Sequence, residues 1–212
     1  MSSKTKLCVL TVSAFSFLAV PSLAMATSVG PVYPTAATYV SSAHPSTNYG
    51  TSSRLWVQND TEQNYSILKF DLTQVIKPGT SATPCTNGGS DGELVMKVDE
   101  VSNGGHQVYL GETSTWTESG VTCNNMPAVR NYDYPSNDGS PVLLSDNPTA
   151  STSEDSVNDW THIALSGDFT SACTYNSGIL TMIVKDGGAN AIAWKSNDAS
   201  SEKPYAYFDV GN

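Results

Sequence analysis

The chain has 212 residues, 10 basic and 20 acidic side chains, and a formal net charge of −10. Lys4 and Lys6 are the only charged residues before position 27, so the remainder carries −12, eight basic groups against twenty acidic ones. That balance excludes the basic footprint of nucleic-acid binding and docking on an anionic membrane surface, while the length allows one domain with a sizeable core.

Residues 1–26 read as a secretory signal peptide. Lys4 and Lys6 give a positive start, 7–20 is an apolar run shorter than the ~20 residues of a spanning helix, and Ala24-Met-Ala26 offers small residues for cleavage before Thr27. No later segment suits membrane insertion, so the expected location is secreted, extracellular or at the cell surface. Residues 27–35 (Thr-Ser-Val-Gly-Pro-Val-Tyr-Pro-Thr) form an extended leader with two readings. One is a disordered tail; the other is a strand donated to the open sheet edge of a neighbouring copy.

Beyond the leader, apolar and polar residues alternate with the period of strands. Strands are expected near 37–40 and 54–58. In 66–72, Leu68, Phe70 and Leu72 share one face, opposite Lys69 and Asp71. In 93–98, Leu94, Met96 and Val98 oppose Glu93 and Lys97. Further strands are expected at 107–110, 160–165 and 191–196, the last with Ile192 and Trp194 on one side. Segment 178–185 is apolar throughout and suits a central strand. In 205–210, Ala206, Phe208 and Val210 oppose Tyr205, Tyr207 and Asp209. Turn residues such as Lys77-Pro-Gly, Asn103-Gly-Gly and Asp186-Gly-Gly separate these segments, and residues 131–158 read as a long acidic loop. No sustained 3.6-residue period with helix caps appears. The fold class is therefore all-β, a single antiparallel β-sandwich of jelly-roll type.

Three cysteines follow position 26, Cys85, Cys123 and Cys173, which means one disulfide with a leftover thiol, or an intermolecular link. Cys85 sits in a turn-rich loop just before the strand at 93–98, and Cys173 just before the strand at 178–185, so Cys85–Cys173 is the expected bridge. Asn59-Asp-Thr and Asn64-Tyr-Ser are glycosylation sequons, both expected on an exposed turn.

Catalytic patterns are missing: there is no Gly-x-Ser-x-Gly, no His-Glu-x-x-His and no phosphate loop, and His44, His106 and His162 are scattered. No enzyme activity is expected. No cofactor is expected either, although Asp186, Asp198, Glu202 and Asp209 gather near the C-terminus and offer oxygen ligands for calcium.

An ordered series of motifs runs along the chain: Asn48-Tyr-Gly, Arg54-Leu-Trp-Val, Ile67-Leu-Lys-Phe-Asp-Leu, the stretch from Trp116-Thr-Glu to Asn124-Asn-Met-Pro, Trp194-Lys-Ser-Asn-Asp and Lys203-Pro-Tyr-Ala-Tyr. The series resembles the DNRLRE domain, a secreted β-sandwich related to carbohydrate-binding modules, over about residues 36–210. The resemblance implies a non-catalytic extracellular module, carbohydrate-binding or adhesive at the cell surface or matrix, with a polysaccharide or glycan as partner. It also implies core positions for Trp116, Trp160 and Trp194, a structural role for Glu118 as acceptor of backbone hydrogen bonds, and a packed Cys123 where the family usually has tryptophan.

Leu55 and Val57 match inward positions of that family, and alternation then turns Arg54 and Trp56 outward. An outward tryptophan marks an interaction surface. Arg54, Trp56, Tyr205 and Tyr207, with Lys69, are therefore the candidate carbohydrate-binding surface. The alternative function is a structural subunit of an extracellular fibril or pilus-like filament, self-associating through the leader, because no enzyme accompanies the domain here.

Overall fold

The computed structural model describes residues 27–88, 91–101, 106–130, 143–147, 156–166, 169–187 and 191–211. The expected signal peptide and much of the expected 131–158 loop lie outside them. Within the loop the structure places one strand that alternation did not reveal, Leu143–Asn147.

Eleven strands are described: β1 (Thr27–Val32), β2 (Ala36–Ser41), β3 (Arg54–Asn59), β4 (Gln63–Asp71), β5 (Asp91–Val101), β6 (His106–Leu110), β7 (Leu143–Asn147), β8 (Trp160–Ser166), β9 (Ile179–Asp186), β10 (Ala191–Lys195) and β11 (Tyr205–Val210). Every pairing between them is antiparallel. One layer runs β1-β11-β5-β8. The other runs β10-β3-β4-β9-β6-β7, with β2 along β4. Strands distant in sequence lie side by side, as the expected antiparallel sandwich requires.

β5 outruns its expected span because it serves both layers. Its first seven residues, from Asp91 to Lys97, pair with β8, the four from Gly92 to Val95 also pair with β11, and its end pairs with β10. Between the partners Trp194↔Val98 and Ala193↔Glu100, Asp99 has no opposite residue. Such a bulge re-aims a strand, and here it carries β5 from one layer into the next.

The core lies between the layers. Leu94, Met96, Val98, Ile163, Leu165, Ala206 and Phe208 meet Leu55, Val57, Leu68, Phe70, Leu180, Met182, Ile192 and Trp194. Among them, Leu68, Phe70, Leu94, Met96, Val98, Ala206 and Phe208 share the faces that period-2 alternation grouped, and Leu55 and Val57 take the inward positions that the family likeness implied. Burying each large side chain contributes ~2 kcal/mol. The buried Trp194 indole donates its Nε1–H to Thr161 Oγ1 at 3.1 Å, so no polar atom of that ring is stranded.

A second, smaller cluster covers the outer face of the second layer: Ala36, Val40, Ile67, Trp116, Val121 and Ile183, with Tyr65, Tyr109 and Cys123 packed against it. Here the connection after β6 folds back over β4 and β9. That explains why β9 is apolar on both faces. Trp116 donates to Thr181 Oγ1 at 3.1 Å, and Thr181 in turn donates to Thr113 O at 2.9 Å.

Two short helices, α1 (Pro84–Asn87) and α2 (Thr170–Tyr175), escaped the periodicity because neither reaches two turns. Thr83 and Thr86 form a reciprocal capping box at α1, with Pro84 at its first turn. The disulfide Cys85–Cys173 joins the two helices with Cα atoms 5.2 Å apart, as expected. Cys123 is a free, half-buried thiol.

The leader is not a loose tail. As β1 it closes its own sheet, with Thr27 opposite Val210, Ser28 opposite Asp209, Val29 opposite Phe208 and Val32 opposite Ala206.

Candidate functional site

β11 turns Ala206, Phe208 and Val210 into the core, so Tyr205 and Tyr207 stand on the outer face of the first layer. Around Tyr205 the structure gathers three more rings. Trp160 is 5.6 Å away, centroid to centroid, Tyr207 5.8 Å and Tyr33 6.2 Å. Tyr33 comes from the end of the leader and is 56 % exposed. Trp160 opens β8, whose alternate residues Thr161, Ile163 and Leu165 are buried. Trp160 is therefore half-buried on the surface, which corrects the core position expected for it. Trp116 and Trp194 are buried as expected. The signal for Trp160 was present in the alternation of its own strand, which puts it beside His162 on the outward face. Nothing in the sequence pointed to Tyr33, whose place depends on the β1–β11 register.

The rings border an open cleft of about 530 Å³ lined by Tyr33, Trp160, Ser201, Glu202, Lys203 and Tyr205. Glu202 and Lys203 bring charge to its lining. Glu202 Oε2 accepts from Lys195 Nζ at 2.7 Å, and Glu202 Oε1 lies 3.3 Å from Lys97 Nζ. Lys97 Nζ also lies 5.2 Å from the Trp160 ring centroid, a cation–π distance. Glu202 has φ +59°, a left-handed conformation that its side chain disfavours. The hydrogen bond from Lys195 and then that from Lys97 hold its carboxyl below the usual range, and the same contact raises the Lys195 pKa. Partial burial, followed by Tyr207, Glu93 and Tyr33, pushes the Tyr205 phenol up.

The five expected surface residues divide. Tyr205 and Tyr207 belong to the cluster. Arg54 stands next to it, in register with Lys195, but its guanidinium is committed to Asp99 at 2.5 Å and Glu100 at 3.1 Å. Trp56 faces outward as expected, on the second layer, half-buried and donating to Gln58 Oε1 at 3.2 Å. Lys69 does not share this surface. Its ammonium donates to Trp116 O and lies 4.5 Å from the Trp116 ring centroid, beneath the loop that covers the second layer. Burial there lowers its pKa.

Asn64 is likewise corrected. It is 5 % exposed and donates to Gln58 Oε1 at 2.9 Å, so only Asn59 of the two sequons stands exposed. Among the described residues, no group of three or more His, Cys, Asp or Glu side chains is placed to hold a metal. Nor is any helix among them long and apolar enough to cross a membrane. A second concavity, about 450 Å³ beside α1, is lined by Lys77, Thr80, Ser81, Ala82, Thr86, Asn87 and Gly211 and offers no aromatic ring.

Rings of this kind present apolar faces on which the C–H face of a sugar can stack, and the neighbouring charged groups can hydrogen-bond its hydroxyls. The sequence matches carbohydrate-binding module family 96 over residues 29–138, just over half of the chain, and the chain belongs to that family. Modules of this kind bind without catalysis. The match ends before β7, yet β8 to β11 complete the same sheets, so the domain extends beyond it. Tyr33 and Lys97 lie inside the matched region; Trp160, Glu202, Tyr205 and Tyr207 lie outside it. No curated protein matches the sequence.

Proposed function

We propose that the protein is a secreted, non-catalytic module that holds polysaccharide at the cell surface or in the extracellular matrix, with an adhesive role. The observation that carries this reading is the four-ring cluster of Tyr33, Trp160, Tyr205 and Tyr207 beside a cleft bearing Glu202 and Lys203. Trp160 and Tyr205 supply the stacking surface. The Lys97–Glu202–Lys195 bridge fixes the polar side of the cleft, where Lys203 and Ser201 reach hydroxyls. A disulfide suits an oxidising compartment, and segment 1–26, with Lys4 and Lys6 ahead of an apolar run and Ala24-Met-Ala26 at its end, supports export.

The test is retention on a panel of immobilised polysaccharides. Wild type is retained on at least one, and Trp160→Ala elutes with the void while keeping its melting temperature. Equal retention of the two proteins on every bound polysaccharide would sink this site. Trp56→Ala serves as the control for the outward tryptophan of the other layer.

A further inference from the structure

We propose that β1 is an exchangeable strand, and that the edge of β11 which it covers is a docking site for the same strand from a second copy of this chain. β1 is the outermost strand of its layer and pairs with β11 alone. Its register with β11 breaks between Val29 and Val32, and Pro31 within the break has no N–H to give. Gly30 and Pro31 are exposed, and Val29 and Val32 are only partly buried against the core. Among the described residues, no side-chain hydrogen bond or ion pair ties residues 27–34 to the rest of the chain; the first fixed point is Thr35, whose N–H donates to Lys69 O at 2.7 Å. Apart from its ladder with β11, the segment 27–34 is held by the partly buried Val29 and Val32, the buried Pro34 and the Tyr33–Tyr205 ring contact, and the same segment of a second copy supplies every one of these, which is the condition for strand exchange.

The partner is specified by what the edge accepts. A Cβ at position 30 would fall 2.5 Å from Tyr207 Cδ1 and 2.8 Å from Ala206 O, so the strand needs glycine there. It also needs apolar residues at 29 and 32 to meet the core, and a ring at 33 to meet Tyr205. The chain's own residues 27–33 meet all four demands, and every copy carries them. An exposed strand edge is a template for a further strand. A strand from a second copy brings its own Tyr33 into the aromatic cluster, so exchange builds each platform from two chains. This last consequence rests on the glycan-binding reading; the exchange itself does not.

The experiment uses residues 27–212 in a Cys123→Ser background and a fluorescent peptide of residues 27–35. Capture of the peptide is followed by anisotropy, without sugar, and mass by light scattering. Gly30→Ala weakens the resident strand, and we expect it to raise the rate of capture of the wild-type peptide at least tenfold, while a peptide of residues 27–35 carrying Gly30→Ala is captured by the variant no better than by wild type. Ser28→Cys with Asp209→Cys joins directly opposed residues, and the oxidised protein is expected to stay monomeric and capture no peptide, while reduction restores capture. Equal capture by the oxidised and reduced forms, or no gain from Gly30→Ala, overturns exchange. Exchange established without any polysaccharide retention would overturn the glycan reading and leave the strand proposal standing.

Discussion

The Glu118 carboxylate accepts the backbone N–H of Ala37 at 2.7 Å, fastening β2 to a loop 81 residues further along the chain. The same loop is held from the other side by Asn48, whose Nδ2 donates to both Glu118 O and Val121 O at 2.7 Å. Gly50 lies so close that a Cβ would sit 2.2 Å from Glu118 O. The Asn48-Tyr-Gly and Trp116-Thr-Glu motifs are thus two halves of one clamp over the second layer.

The clamp predicts a graded loss of stability. Glu118→Ala leaves the Ala37 N–H without its acceptor and should cost ~2 kcal/mol, lowering the melting temperature by about 5 °C. Gly50→Ala forces backbone apart and should cost more. Thermal unfolding of both variants checks the order; a Gly50→Ala protein as stable as wild type would show that the loop yields freely.

Trp160 and Trp194 should behave as opposites. Trp194 is fully buried, and its replacement by alanine should cost ~4 kcal/mol of stability through the cavity it leaves. Trp160→Ala should leave folding nearly intact and weaken polysaccharide binding at least tenfold, or ~1.4 kcal/mol. Affinity electrophoresis and calorimetry on the two variants separate the roles.

The Glu202 bridge predicts a flat pH response with two edges. Its depressed carboxyl stabilises the fold fully above about pH 4.3, the ordinary glutamate value, and that contribution is lost as pH falls through the lower folded value. The raised Lys195 value works the other way: its contribution is complete below about pH 10.4 and is lost as pH rises through the folded value. The melting-temperature difference between wild type and Glu202→Gln should therefore be constant from about pH 5 to 9 and shrink toward pH 3. A difference that grows in acid would contradict the bridge.

Cys85 and Cys173 are 88 residues apart in sequence, a long loop for a crosslink to close. The chain-entropy model gives ~4.6 kcal/mol for a loop of that size. Replacing both residues by alanine should lower the melting temperature by about 10 °C. Reduction of the wild type should reproduce that drop, and reduction of the double variant should change nothing.

Much of the sandwich was legible because strand alternation is a local code. Leu68 and Phe70, Leu94 and Met96, and Ala206 and Phe208 all face inward as their spacing demands. Tyr205 and Tyr207 were found by the same rule. Lys69 shows where the rule stops: alternation turned it outward, but a loop folded over that face from about fifty residues away, and no local pattern announces such a cover. Trp160 shows the reverse. Its strand alternation pointed outward, and the family likeness that implied a core position was the weaker guide. Tyr33 and Glu202 became site residues only through register and a left-handed loop, both products of tertiary structure.

Thr27 faces Val210, whereas Tyr33 lies past the other end of the same ribbon, beside Tyr205. The two ends of the described chain therefore meet at one corner of the sandwich, and the ring cluster sits at the far end of β1 and β11, about 15 Å away at the usual rise per residue. A body joined at either end of the described chain, before Thr27 or after Val210, is attached at that one corner, a strand's length from Tyr33 and Tyr205.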